Sequence, residues 1–417
     1  MGYTSQLYDA TNGLPTSDAN YILGDNDGYV WIGGYSGVIR YDGTTFERLD
    51  TSDGMTSGRV LFEDSANRIW LGTNDNGVVI MHVNHTSTHL TRDDGLPASS
   101  IRSFAEDLHG NIYVGTTDGI CWVDENLKVH ILDDSGINGQ RVTRLEADAT
   151  GVIYGLTGEG IAFSVEDGRI TQSFDGTSLD GEQLTALLVD PIQPGNVYLG
   201  TDTGAIYYGA FGAPVESQKK ISADPITDVH WLSYECDRIW VNSSTQIGYL
   251  DENNGIHVLD DIVLENAIEM TTSDYQGNLW ATSTTQGIMK IVTSNFVDVT
   301  KNAGLPEEVT NATCLCRDGL YVGTDEGLFF LKGKDRIPTE DELTEYLAGT
   351  RIRCVIQDSD GNIWVSTFNN DKGLVRYTPE GTITSFTEEN GMPSDQVRCV
   401  KETSDGSIAK TVSETRS

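Results

Sequence analysis

The stretch Gln357-Asp358-Ser359-Asp360-Gly361-Asn362-Ile363-Trp364-Val365-Ser366-Thr367 decides the fold, because most of this 417-residue chain repeats it with substitutions. Aligned on its aromatic residue, the copies carry Trp31, Trp70, Tyr113, Tyr154, Tyr198, Trp240, Trp280, Tyr321 and Trp364, at spacings of 39, 43, 41, 44, 42, 40, 41 and 43 residues. Five of the seven tryptophans fall on this one position, which random placement would not produce. A period of about 42 residues with room for four short strands is the signature of β-propeller blades, so the expected fold class is all-β.

Each part of the unit has a physical role. An aspartate six residues before the aromatic recurs as Asp25, Asp64, Asp107, Asp148, Asp274 and Asp358. A Gly or Asn three before it recurs as Gly28, Asn67, Gly110, Gly151, Gly277 and Gly361. Together they predict a hairpin turn, with the acid bonding turn amides and the Gly or Asn taking positive φ. A small residue follows the aromatic (Gly33, Gly72, Gly115, Gly200, Gly323), where strands approach closely, and the aromatic itself is expected to pack between blades.

The unit closes with a fourth strand and a connector, as in Gly13-Leu14-Pro15, Gly95-Leu96-Pro97 and Gly391-Met392-Pro393, where proline stops the edge strand. The first connector precedes the first full unit, so Thr4 to Asp9 reads as an orphan fourth strand that matches Phe46 to Asp50 and closes a ring. Seven blades would then occupy residues 1–295, with 296–417 forming further repeats and Asn295 to Thr300 the orphan strand of a second, incomplete ring. One ring of nine or ten blades is the competing architecture. Asp335 to Ala348 is an insertion in which Thr339-Glu340-Asp341-Glu342 has capping-box spacing ahead of Leu343, Tyr346 and Leu347, which predicts a short helix. A tenth unit opens at Asp405-Gly406 and is expected to stop short of a third strand.

Charge narrows the function. With 63 acidic against 27 basic residues the formal charge is −36, so phosphate backbones and anionic membranes would be repelled, and nucleic acid is not an expected partner. No run reaches the roughly 18 apolar residues of a membrane span, and the opening residues have no signal-peptide core, which leaves a cytosolic protein or a mature extracytoplasmic domain. Six scattered cysteines lack metal-site spacing and read as buried thiols.

Candidate site residues come from comparing repeats. The position five before the repeated aspartate, on the innermost strand, reads Asn20, Arg59, Arg102, Thr143, Thr185, Glu269, Arg353 and Arg398. Four arginines there predict a cationic collar at the channel mouth, suited to carboxylate, sulfate or phosphate because guanidinium binds such groups in a fork. The alternative is that each arginine pairs with an acid such as Glu63, Glu106 or Glu402. His82 and His89 are expected to face each other across the turn at Asn84-His85-Thr86, without a convincing third metal ligand. The turns at Asp25 and Asp358 lack the distal acid of a calcium loop. No nucleophile elbow, phosphate loop or metalloprotease helix occurs, so no catalytic residue, metal or cofactor is expected. Trp122 and Trp231, off the repeat position, serve either as packing residues or as sugar-stacking platforms.

The unit Asp-x-x-Gly-x-Ile/Leu-Trp-x-Gly/Ser-Thr-x-x-Gly-Leu-x-Arg-Tyr resembles the two-component regulator propeller family, most clearly at Asp25 to Asp42, Asp64 to Val79, Asp107 to Asp124 and Asp358 to Tyr377. That resemblance implies an extracytoplasmic, non-catalytic sensor domain of a bacterial receptor, with a small-molecule or oligosaccharide ligand and a membrane-linked output domain as partners; self-association as a homodimer is a further expectation. A propeller lyase or glycosidase and a protein-binding scaffold are the alternatives, because propellers host unrelated functions.

Overall fold

The computed structural model describes residues 2–49, 52, 54–260, 262–294, 299–316, 318–333, 336–368 and 371–412. Almost all of the regular structure is β, in antiparallel sheets of four short strands that follow one another along the chain. The contact pattern divides the chain into two units, essentially Tyr3–Ser294 and Asn295–Ser417.

Unit 1 contains seven four-stranded sheets, here blades 1 to 7. Their innermost strands are Tyr21–Gly24, Val60–Glu63, Ile101–Glu106, Val142–Ala147, Leu184–Val189, Trp231–Glu235 and Ile268–Ser273. Each packs on the next, and the last packs on the first, so the ring closes after seven. The closure uses both ends of the unit: Gly2–Tyr8 is hydrogen-bonded to Gly287–Ser294 as the outermost strand of blade 7. There Tyr8 stacks on Trp280 with ring centroids 6.0 Å apart and meets Phe46 of blade 1 at 5.3 Å.

Unit 2 holds two four-stranded sheets, beginning with Thr310–Cys316 and Ile352–Gln357, and a two-stranded sheet of Val397–Glu402 and Ile408–Val412. Of the strand expected over 295–300, residues 295–298 lie outside the described residues, and Val299–Asn302 is a helical turn instead. Asp335, the expected start of the insertion, and Asp50, the expected end of a fourth strand, also lie outside them. The insertion does carry a helix, Glu342–Tyr346, but its cap is Asp341. The Asp341 carboxylate accepts from the Thr344 amide at 2.8 Å while the Thr344 hydroxyl accepts from the Asp341 amide at 2.9 Å. The cap falls two residues later than the spacing suggests because this start lets Leu343 and Leu347 bury completely.

The six-residue spacing from aspartate to aromatic has a direct cause. Asp25, Asp64 and Asp358 each accept a hydrogen bond from the indole N–H of the tryptophan six residues on, at 2.7 Å, and Asp274 does so at 2.8 Å. The other carboxylate oxygen takes turn amides, as Asp64 does from Ala66 and Arg68. Positive φ follows at the expected places, 56° at Asn67 and 88° at Gly361. The glycine after the aromatic is where the next blade arrives: a Cβ on Gly72 would lie 2.7 Å from Ile101 Cγ2 of blade 3, and one on Gly115 would lie 2.9 Å from Val142 of blade 4.

Candidate ligand site

In several blades the repeat position singled out by sequence is a β-bulge, whereas Asn20 and Arg59 just precede their strands, with their amides bonded to the Gly33 and Gly72 carbonyls. In blade 3 Ile101 pairs with Thr116 and Ser103 with Gly115, which leaves Arg102 outside the ladder. Thr143 and Thr185 are left out in the same way, and in blade 7 the interruption takes in Glu269 and Met270. A bulge bends the strand and re-aims the side chain, which lets these residues turn toward the ring axis.

Asn20, Arg59, Arg102, Thr143 and Glu269 line one cavity of about 300 Å³ at the start of the inner strands. Thr185 hydrogen-bonds to the Val229 carbonyl at 2.5 Å. Arg353 and Arg398 occupy the equivalent bulges in unit 2 and are not among the residues that line this cavity. Arg353 instead lies over the Phe368 ring at 4.8 Å. Arg141, Arg144 and Trp231, none of them at the repeat position, also line the cavity, as does His230, whose amide bonds to the Asn242 carbonyl as those of Asn20 and Arg59 bond to Gly33 and Gly72.

The acids proposed as alternative partners are engaged elsewhere. Glu63 accepts from the Asn26 amide at 2.9 Å, Glu106 from the Ser65 amide at 2.7 Å, and Glu402 from the Ser359 amide at 2.9 Å. These bonds tie the end of one inner strand to the turn of the preceding sheet. Of the collar arginines, Arg59 approaches Glu269 at 3.7 Å, too long for a good hydrogen bond. Among the described residues no carboxylate forms an ion pair with Arg102 or Arg141. Arg102 donates to Asn74 Oδ1 at 3.2 Å and to the Ile101 carbonyl at 3.0 Å. Burial, and then the charges of Arg59 and Arg141, pull its pKa down to about 10, so it stays cationic at neutral pH.

Deeper in the ring Arg144 stacks on Trp231, 3.8 Å from guanidinium carbon to ring centroid, and pairs with Glu146. Tyr21 meets Trp231 edge-on at 6.1 Å. Tyr21, Phe104, Arg144 and Leu145 line both this cavity and a second one of about 580 Å³, and so partition the channel. The second cavity is acidic, with Glu106, Glu146, Asp148, Asp190 and Glu235 in its wall. Burial raises the pKa of Glu235, against which hydrogen bonds from Ser273 work. Two orphaned polar groups face the arginine side: both amide atoms of Asn20, which is 2% exposed, and Nε2 of His230 have no hydrogen-bond partner.

The remaining sequence candidates do not form sites. His89 pairs in register with Val79, while His82 lies opposite Thr86 and bonds to Thr88 Oγ1 at 2.8 Å, so the two imidazoles do not face each other; the hairpin register places His89 three residues beyond the partner of His82. Among the described residues no three His, Cys, Asp or Glu side chains are arranged to hold a metal ion. The six cysteines are free thiols; Cys121 is buried, but Cys236 and Cys399 are exposed, so burial of all six was too broad an expectation. Trp122 stacks on His130 at 4.0 Å.

Residues 346–369 match the model of the two component regulator propeller family. The same pattern is written through the other repeats, so the likeness to this family extends beyond the matched residues. No curated protein sequence matches it. Among solved structures it is similar to the extracellular domain of a hybrid two-component system from B. thetaiotaomicron, with 16% identity and a TM-score of 0.66 over 98% of this chain and 70% of that one. A second such domain from that organism gives 14% identity and a TM-score of 0.56 over the same shares. Virginiamycin B lyase from Staphylococcus aureus, solved in a catalytically inactive form with quinupristin, gives 13% identity and a TM-score of 0.57 over 70% of this chain and all of that one. At these identities the likeness establishes the propeller fold.

Proposed function

We propose that this chain is a non-catalytic, extracytoplasmic ligand-sensing domain of a bacterial signalling receptor. A small ligand, a carbohydrate or another anionic molecule, sits at the arginine-lined mouth of unit 1. Binding is passed to a membrane-linked output domain. The observation that carries this reading is the buried Asn20 amide, which presents an unbonded donor and an unbonded acceptor to the cavity wall. Burying an amide unpaired is costly, and a ligand hydroxyl bonded to it would relieve that cost. The likeness to extracellular domains of hybrid two-component systems supports the signalling role and the location outside the cytoplasm.

A thermal-shift screen against neutral, uronic and sulfated mono- and oligosaccharides tests it. A ligand at about one hundred times its Kd adds about 2.7 kcal/mol to the stability of the state it binds. At least one compound should raise the melting temperature of the wild-type chain and not that of Asn20→Ala. Silence across the panel, or shifts indifferent to Asn20, would count against a channel ligand.

A further inference from the structure

We infer that the mouth of unit 1 is an oxyanion site, which takes a carboxylate, sulfate or phosphate group carried on a hydroxyl-bearing body. This inference rests on the proposed ligand role and specifies its chemistry. Three guanidinium groups, from Arg59, Arg102 and Arg141, meet at one rim of a cavity of about 300 Å³. They arise at the starts of blades 2, 3 and 4, which are consecutive, so their charges lie along one arc of the ring. Like charges brought together disfavour one another, and the lowered pKa of Arg102 reflects this in part. The chain as a whole has a large excess of acids, yet among the described residues Glu269 is the one acid that forms an ion pair with any of the three, and it reaches only Arg59, whose charge Asp18 also feels. Their remaining N–H groups are donors only, and an oxyanion is acceptor only, which makes a fork of charge-assisted bonds the natural match.

The other wall asks for something different. Asn20 offers an amide oxygen and an amide nitrogen without partners, and His230 offers one unpaired ring nitrogen. An anion alone cannot satisfy an amide oxygen, because it has no proton to donate. A hydroxyl group both donates and accepts, so the part of the ligand facing Asn20 and His230 carries hydroxyls. The space suits a single sugar-sized group. Because Arg144 stacked on Trp231 helps close the channel behind it, the ligand enters and leaves by the arginine mouth.

The test is isothermal titration calorimetry of the full chain with glucuronate, glucose 6-sulfate, glucose 6-phosphate and glucose, at low and high salt. At least one charged probe should bind tenfold or more tighter than glucose, with an affinity that falls as salt rises. Arg102→Ala should weaken that probe by tenfold or more. Arg141→Ala, at an exposed position whose loss does not threaten the fold, should weaken it several-fold. Glucose binding as tightly as the charged probes, charged-probe affinity unchanged in both variants, or no binding of any charged probe would each overturn the oxyanion assignment. A neutral compound whose stabilisation depends on Asn20 would leave the sensor role standing while this assignment fell, so the two failures are distinguishable.

Discussion

Replacing Asp64 with alanine tests the aspartate–tryptophan bond that four of the sheets share. Asp64 is 2% exposed and accepts from four donors: Trp70 Nε1 at 2.7 Å, the Arg68 amide at 2.8 Å, the Ala66 amide at 3.0 Å and Arg68 Nε at 2.6 Å. Trp70 is completely buried, so its indole N–H would be left without an acceptor, at a cost of about 1–3 kcal/mol. The two turn amides are part-buried and can recruit water, which limits their loss to about 1 kcal/mol together. Arg68 is partly exposed and its guanidinium can turn to solvent, so the broken ion pair adds little. The expected loss is about 2–4 kcal/mol, or roughly 3–7 °C in the melting temperature of a unit of this size. Differential scanning calorimetry measures it, with the transitions of the two units fitted separately because one two-state transition is not assured. Trp70→Phe removes the stranded donor, so the double variant should lose about 1–2 kcal/mol less than the sum of the single losses. A D64A protein that melts within a degree of wild type, or a strictly additive cycle, would refute the argument.

Two further outcomes follow from the closure and from pH. Deleting residues 2–8 removes the outermost strand of blade 7 and uncovers the face where Tyr8 covers Trp280. The unit 1 transition should drop sharply in temperature and recover when a peptide of those residues is added, and an unchanged melt would contradict closure by this strand. Asp358 has a lowered pKa; burial works against the shift, and the hydrogen bonds from Trp364, Asn362 and the turn outweigh it. A depressed carboxylate contributes stability that is fully present above its unfolded value, near 3.8, and is lost as pH falls through the folded one. The stability difference between wild type and Asp358→Asn should therefore be constant above about pH 5 and shrink below it. Denaturant melts of unit 2 across that range would show it, and a difference independent of pH would rule it out.

What could be read without coordinates was local. The aspartate, the turn glycine and the aromatic lie within seven residues, so one hairpin brings them together whatever surrounds it, and their recurrence was enough to specify an all-β propeller. The glycine after the aromatic was legible for a related reason: every blade meets its neighbour in the same way, so the close approach at Gly72 and Gly115 repeats with the period. Asn20, Arg59, Arg102 and Glu269 could be listed as candidates because they hold one repeat position at the start of the inner strand.

Their company could not. Arg141 lies two residues before the bulge of blade 4 and Arg144 one after it, and neither has a counterpart that comparison of repeats would flag. Trp231 reaches Arg144 from blade 6, across the ring, and sequence distance carries no trace of that meeting. Whether Glu63 and Glu106 neutralise the arginines was likewise undecidable from spacing, since an inner strand offers its acid equally to its own blade or to the next turn. The chain by itself determined the blade, because a hairpin is a short-range object. Only the closed ring decided that an arc of three arginines, of which Arg59 alone has an ion-pair partner among the described residues, shares a cavity with an unbonded asparagine, because that arrangement exists only once blades distant in sequence share an axis.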